Sequence, residues 1–300
     1  MANEAPLKMN LSVQRHGAEV HADGKLFARY LVRSGSRPIV WPLIGPTGVE
    51  MTRAYPMEKG RQNENSDHPH HRSLWFGLMG INDVDFWHES SADDKSKGEV
   101  VHREFLRSDC DGEVATLITS NDYLDPNGNR VAQDERTLRF GATEDVRWID
   151  VAIKLWSKEG PLTLADTKEG ALGLRVPGWM KLDAGLDGRI ENSNSLTDQA
   201  AWGIPAAWCD YTGERDGQRL GVAILAHPSS YKPEPRWHVR SYGLFAMNPF
   251  GEADFGGEPT GGLQLDAREA VQVRGMIVLH KGDAAAADLA GWYDRYKTAP

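Results

Sequence analysis

The stretch Arg147-Trp-Ile-Asp-Val-Ala-Ile-Lys-Leu-Trp-Ser157 decides the fold class. Ile149, Val151, Ile153 and Leu155 recur at every second position, so they line one face of an extended chain. Trp148, Ala152 and Trp156 fall on the other face, and tryptophan there predicts a strand covered on both sides, as in the interior of a layered sheet. The same period spreads outward. Upstream it recurs over 130–140, after an Asn127-Gly128 turn, and over 113–121 and 100–106. Earlier still, two extended runs over 18–32 flank Asp23-Gly24, a dipeptide suited to the positive φ angles of a tight hairpin. Residues 38–43 are apolar, Gly45-Pro-Thr-Gly48 turns them, and 51–55 continue. Downstream, 162–176 reads as strand, acidic turn, strand, followed by strands over 201–211, 220–227, 237–246, 263–265 and 271–280. One helix is expected, over 284–296, with Asp283 as its cap and Leu289, Trp292, Tyr293 and Tyr296 at helical spacing. No repeat, low-complexity block or linker divides the series. The expectation is an all-β single domain over 1–300. It would be a large two-layer antiparallel β-sandwich with a C-terminal helix packed outside, its sheets wide enough for a concave binding face.

Composition narrows the class of function. Charged residues make up 26% of the 300 and hydrophobic residues 40%, the balance of a soluble globular chain. No run approaches the roughly 18 apolar residues that a bilayer requires. The first ten residues lack the apolar core of a signal peptide. Together these point to the cytoplasm and away from a membrane partner. A formal charge of −9 argues against nucleic acid, whose phosphates need a basic face. Cys110 and Cys209 cannot build a disulfide framework or a Cys-rich metal site and are expected to be free.

The chemistry concentrates in Asn65-Ser-Asp-His-Pro-His-His-Arg-Ser-Leu-Trp-Phe-Gly77, where His68, His70 and His71 account for three of the ten histidines. Asn82-Asp-Val-Asp-Phe-Trp-His88 follows closely. Imidazoles for proton work, a fork-shaped cation for oxyanions and rings to lie against a ligand are the mixture a binding site needs, whereas a surface loop rarely collects all three. The polar run 58–66 is expected to present this cluster at a sheet edge, open to solvent. Asp166-Thr-Lys-Glu-Gly170 sets two carboxylates beside an ammonium at a strand turn, a setting that separates pKa values, although a charged solvated hairpin has the same composition. Trp202 and Trp208 sit beside short polar residues, as suits a sugar ring, or equally a core. His227 closes one strand. His238 and Arg240, two apart, would share a face of the next.

Several of these segments together resemble the PmoA-like family of uncharacterised bacterial domains. They are Asp67-His-Pro-His-His-Arg-Ser-Leu-Trp75, Asp83-Val-Asp-Phe-Trp87, Asp166-Thr-Lys-Glu-Gly170, Ala201-Trp-Gly203, His227-Pro228 and the run from Trp237 to Gly251. The family's label refers to membrane-bound methane oxidation, which a chain without a transmembrane segment does not fit. The resemblance implies a relative of the galactose-mutarotase-type supersandwich that works alongside sugar oxidoreductases and glycoside-degrading enzymes. It implies no catalytic residues.

The leading expectation is a carbohydrate-active enzyme performing acid/base chemistry on a sugar, keto-sugar or glycoside, as an epimerase, lyase or hydrolase. His70 or His71 would exchange a proton, with Asp166 or Glu169 as the opposing base and His238 in the same pocket. Arg72 and Lys168 would hold developing negative charge, and Trp75, Trp87 and Trp202 would stack on the ligand. Asp85, His227 and Arg240 would complete the binding surface. No cofactor is assigned. A second expectation is a metal-dependent enzyme in which His68 and His70 ligate an ion, completed by Asp67, Asp85 or His238. A third is a non-catalytic sugar-binding module, which has no use for three histidines.

Overall fold

The computed structural model describes residues 5–300, so the reading of the N-terminal ten residues falls partly outside it. The described chain forms two antiparallel sheets, one of 11 strands and one of 8, with one α-helix near the C-terminus. The main path of the first sheet runs Met9–Gln14, Gly17–Ala22, Lys25–Ser34, Arg37–Leu43, Leu74–Ile81, Gly170–Arg175, Leu244–Asn248, Arg236–Val239. The second runs Arg189–Asn192, Trp208–Arg215, Gln218–Ala226, Ala270–Lys281, Val146–Trp156, Arg130–Ala142, Ala115–Leu124, Glu99–Cys110. Val146–Trp156 is an interior strand, and its alternation is realised: Ile149, Val151, Ile153 and Leu155 are buried between the sheets, while Trp148 packs outward beneath the helix.

The main core lies between the sheets. Leu74, Phe76, Leu78, Leu172, Leu174, Phe245 and Met247 of the first sheet meet Leu117, Leu138, Phe140, Ile149, Val151 and Ile277 of the second. A two-residue side-chain period sends the alternate residues of those first-sheet strands to the far face. There Ile39, Trp75, Leu244 and Ala246, with Trp87 above them, form a separate apolar cluster. Cross-strand register aligns Ile39, Trp75, Gly173, Ala246 and His238 in one row across five strands. Trp75 lies flat over its neighbour because residue 173 is glycine: a Cβ there would fall 2.5 Å from the Trp75 ring. This far face of the first sheet is the floor of the site.

Five sequence expectations change. Residues 51–55 form no strand, and after the isolated Ile44–Glu50 bridge the chain leaves the sheet until Leu74. The strand that follows the histidine cluster is interior to the first sheet rather than at its edge. Residues 237–246 are two strands, Arg236–Val239 and Leu244–Asn248, because Gly243 at φ 97° lets the chain reverse. The span 201–211 begins as a 3₁₀ turn, Asp198–Ala201, and becomes strand only at Trp208–Arg215. The helix covers Leu289–Tyr296 alone. Asp288, at φ 52°, caps it by accepting from the Gly291 N–H, while Asp283 accepts from the Ala286 N–H in the preceding turn.

Candidate active site

Arg53 gathers the histidine loop. Its guanidinium, fully buried, donates to the backbone carbonyls of Asp67 (3.0 Å), His68 (2.7 Å) and His71 (3.0 Å) and to the Asp67 carboxylate (2.8 Å). His68 and Ser73 take left-handed φ angles of 42° and 56°, which fold the loop back over the sheet. Arg175, at the end of the Gly170–Arg175 strand, reaches the loop from below. It donates to Asp67 Oδ1 at 3.2 Å and to His71 Nδ1 at 2.9 Å. A guanidinium only donates, so His71 Nδ1 accepts and the ring is neutral with its proton on Nε2. Burial above all, with the Arg175 charge adding to it, holds the His71 pKa well below the ordinary value.

Two histidines are each backed by a carboxylate. His88 Nδ1 donates to Asp85 Oδ2 at 2.9 Å, while Asp85 Oδ1 accepts the backbone N–H groups of Trp87 (2.9 Å) and His88 (3.0 Å). Burial pulls the Asp85 pKa up, but the hydrogen bonds from His88 and the backbone outweigh it and hold the carboxyl ionised. His68 Nδ1 lies 3.0 Å from Asp67 Oδ2. Burial likewise opposes ionisation of Asp67, and the Arg175 charge with the His68 contact overcomes it. The side chains of His68 and His88 are 41% and 37% exposed, and among the described residues neither Nε2 has a partner. Between them stands His70, its ring 5.8 Å from His68 and 4.6 Å from His88, itself 8% exposed. Burial, with the charges of His88 and Arg37, pushes the His70 pKa down to about 2. Arg37, wholly buried, donates to the His88 carbonyl at 2.9 Å and so fixes the loop that carries it.

Tyr242 joins this group to the rest of the face. Its ring stacks on His68 at 5.2 Å, and the Arg175 guanidinium lies over it at 4.6 Å. Arg240 lies 5.9 Å from Tyr242 and 5.9 Å from Trp202, and Trp202 is 6.5 Å from His238. His238 donates from Nδ1 to the Lys168 carbonyl (3.0 Å). Burial lowers its pKa to about 4, with the charges of Arg240 and Lys168 adding to the effect. Glu169 acts electrostatically on Tyr242 and lies 3.6 Å from the Lys168 ammonium. Thus His70, His71, Asp85, Glu169, Lys168, Trp202, His238 and Arg240 gather on one face of one sheet.

Other sequence-predicted residues stand elsewhere or are occupied. His71 and His70 are buried rather than solvent-facing, because loop and sheet close around them. Trp75 and Trp87 are fully buried, 5.2 Å apart under His71, and support the site from beneath rather than meeting a ligand. Arg72 is committed to Glu89 through two hydrogen bonds of 2.6 and 2.8 Å. Asp166 accepts from the backbone N–H groups of Glu252, Ala253 and Thr260 and from the Thr260 hydroxyl, closing a loop instead of facing the imidazoles. His227 belongs to the second sheet's helix contact: Nε2 donates to the Ala299 carbonyl at 3.1 Å, and the ring packs 4.8 Å from Tyr296. Arg240 lies in the turn after the strand of His238, not on that strand. Of the carboxylates named for a metal, Asp67 is held by two arginines and Asp85 by His88 and backbone, and among the described residues no group of three or more His, Cys, Asp or Glu is placed to hold an ion.

Residues 17–294 match the model described as "Family of unknown function (DUF6807)", and the chain belongs to that family. The match does not support the PmoA label. No curated protein matches. Among solved structures, the galactose 1-epimerase from Lactobacillus acidophilus NCFM is similar at 10% identity and a TM-score of 0.40, over 92% of this chain and 100% of that one. An α-galactosidase from Lactobacillus brevis is similar at 14% identity and a TM-score of 0.41, over 92% and 39%. A GH36 α-galactosidase from Geobacillus stearothermophilus, solved with raffinose, gives 14%, 0.38, 92% and 41%. The chain therefore spans about two fifths of the α-galactosidases it matches. No helix among the described residues is long and apolar enough to cross a membrane.

The depressed histidines make an expected pH dependence. A histidine with a lowered folded-state pKa contributes stability that is present above its unfolded value, about 6.5, and is lost as pH falls. Between pH 6.5 and 4, the window set by His238, each such group removes up to about 1.4 kcal/mol per pH unit. Asp67 and Asp85, lowered from ordinary carboxylate values, add their loss only below that window. Thermal midpoints taken across it should fall steadily, and less steeply in His238→Gln. An identical slope in the variant would show that His238 titrates alike in both states.

Proposed function

We propose that this protein is a carbohydrate-active enzyme that moves protons between two carboxylate-backed histidines and a sugar. The observation that carries the reading is the Asp67–His68 and Asp85–His88 pairs, which stand on either side of neutral His70 with both Nε2 atoms open. A carboxylate behind Nδ1 fixes the tautomer and stabilises the imidazolium, the arrangement that suits general acid/base work. One ring, neutral, takes a proton at Nε2 from a sugar hydroxyl or an acidic C–H. The other, as imidazolium, delivers one to the ring oxygen, the leaving oxygen or the opposite side of the same carbon. Protons balance, and the enzyme recovers its starting state by returning one proton to solvent and taking one up. Epimerisation, elimination and hydrolysis all use this pair. In this reading Trp202 and Tyr242 lie against the sugar's C–H face, while buried His71 holds Arg175 in place beneath the two histidines.

The continuous core between the sheets supports treating the described chain as one domain with one site. Free sugars, their methyl glycosides and their keto derivatives, incubated with the protein and followed by NMR for anomer exchange, solvent deuterium uptake or product, test the reading. Turnover or saturable binding by at least one class is expected. A panel that neither binds nor reacts would sink it.

A further inference from the structure

We infer that the sugar is an acidic one, a hexuronate or its glycoside, whose carboxylate is gripped by Arg240. This rests on the sugar-directed reading above and deepens it. Arg240 is exposed, and among the described residues its guanidinium has no hydrogen-bond or ion-pair partner. Yet it does not sit on a loose loop. The Tyr211 hydroxyl donates to the carbonyl of Ser241 at 3.1 Å, and Arg240's own N–H and C=O close the turn with Leu244 and Gly243. The head is then held between the Trp202 and Tyr242 rings at 5.9 Å from each. A rigid root, aromatic walls and five free donors describe a fork waiting for a planar anion, which carboxylate matches in two parallel hydrogen bonds.

The surroundings agree. Arg240 and Trp202 border a cavity of about 320 Å³ backed by Leu182 and Ile190, room for a pyranose ring. Asp198 on its wall accepts the Ile190 N–H through Oδ1 but stays an anion, so the sugar's carboxylate must face Arg240 and turn away from Asp198. On the other side, buried Arg53 and Arg175 share the single carboxylate of Asp67, and buried Arg37 touches none. Lys168 on this face is paired with Glu169 and Asp254, whereas among the described residues no carboxylate pairs with the Arg240 guanidinium, so a neutral sugar would leave that one cation unanswered and an anion would meet it. The cavity itself is lined by no histidine among the described residues, but the Tyr242 ring beside Arg240 stacks 5.2 Å from His68, so a uronate glycoside held at Arg240 would extend along Tyr242 toward His68.

Calorimetric titration with glucuronate, galacturonate, mannuronate and iduronate, against the matching neutral hexoses and uronamides, tests this. At least one hexuronate should bind at least tenfold more tightly than its hexose and uronamide, weakening as salt rises. Arg240→Gln should erase that preference, Arg240→Lys should restore only part of it because an ammonium lacks the fork, and both should keep the wild-type melting temperature. Equal affinity for the neutral sugars, or a uronate preference that survives Arg240→Gln, would overturn the inference and leave the sugar reading standing. Absence of binding by every acid and every neutral sugar would overturn both.

Discussion

Replacing His88 with alanine is expected, under the proposed acid/base role, to lower turnover of a sugar substrate by about 10²–10⁴-fold, the range for losing a general acid or base. The imidazole is 37% exposed, so the same change should move stability by only about 0.5 kcal/mol, as surface substitutions do. Asp85 keeps its two backbone hydrogen bonds and a Lys97 ammonium 3.6 Å away, so the loop does not lose its organiser. Asp85→Asn should give a smaller fall: the ring remains, but an amide NH₂ no longer accepts from Nδ1, and the proton shifts to the nitrogen that faces the ligand. His68→Ala should match His88→Ala in direction. His71→Ala is a different experiment, because it strips a hydrogen bond from buried Arg175 and exposes a fully covered ring position. Rates and melting temperatures, taken on one substrate, separate these cases. Full activity in both His68→Ala and His88→Ala would remove the acid/base pair.

The two-residue period of 147–157 revealed the layered sheets because a strand with one face in a core must alternate. The density of imidazole at 68–71 likewise pointed to the candidate site. What the sequence hid were partnerships. Arg72 reads as a free fork until Glu89, 17 residues on, folds against it. Asp166 looks like a base, yet whether a carboxylate's lone pairs go to a substrate or to backbone N–H groups depends on residues 252–260, which nothing local announces. His88 stood in view beside Trp87, but its role depends on Asp85 turning back on it. Arg53 and Arg175 lie in unremarkable runs, and only the register between loop and strand brings them to Asp67. Tyr242 was obscured by an apolar run that reads as one strand. Gly243, the residue that breaks it, was the available signal.

The largest expected loss of stability lies away from the site, at Asp134. Its carboxylate, 1% exposed between the sheets, accepts from Asn121 Nδ2 and the Tyr123 hydroxyl at 2.6 Å each and from Arg136 Nε at 2.9 Å. Arg136 is 4% exposed and lies over the Phe76 ring at 5.8 Å. Burial opposes its charge, and the adjoining carboxylate more than offsets that, holding its pKa above the ordinary arginine value. Asp134→Ala removes the counter-charge and leaves a guanidinium in the core, a change that costs about 3–5 kcal/mol against a total stability of about 5–15 kcal/mol. Replacing both charges is expected to be milder than removing one: Asp134→Leu with Arg136→Met leaves no orphaned charge, and apolar pairs of similar volume often hold as well as the ions they replace. Because Phe76 points to the core and Trp75 to the opposite face, a folded double variant should leave the candidate site unchanged. Denaturant midpoints of the two singles and the double measure the coupling. A single-variant loss below about 1 kcal/mol would mean that water reaches Arg136 and that the network is less closed than its burial implies.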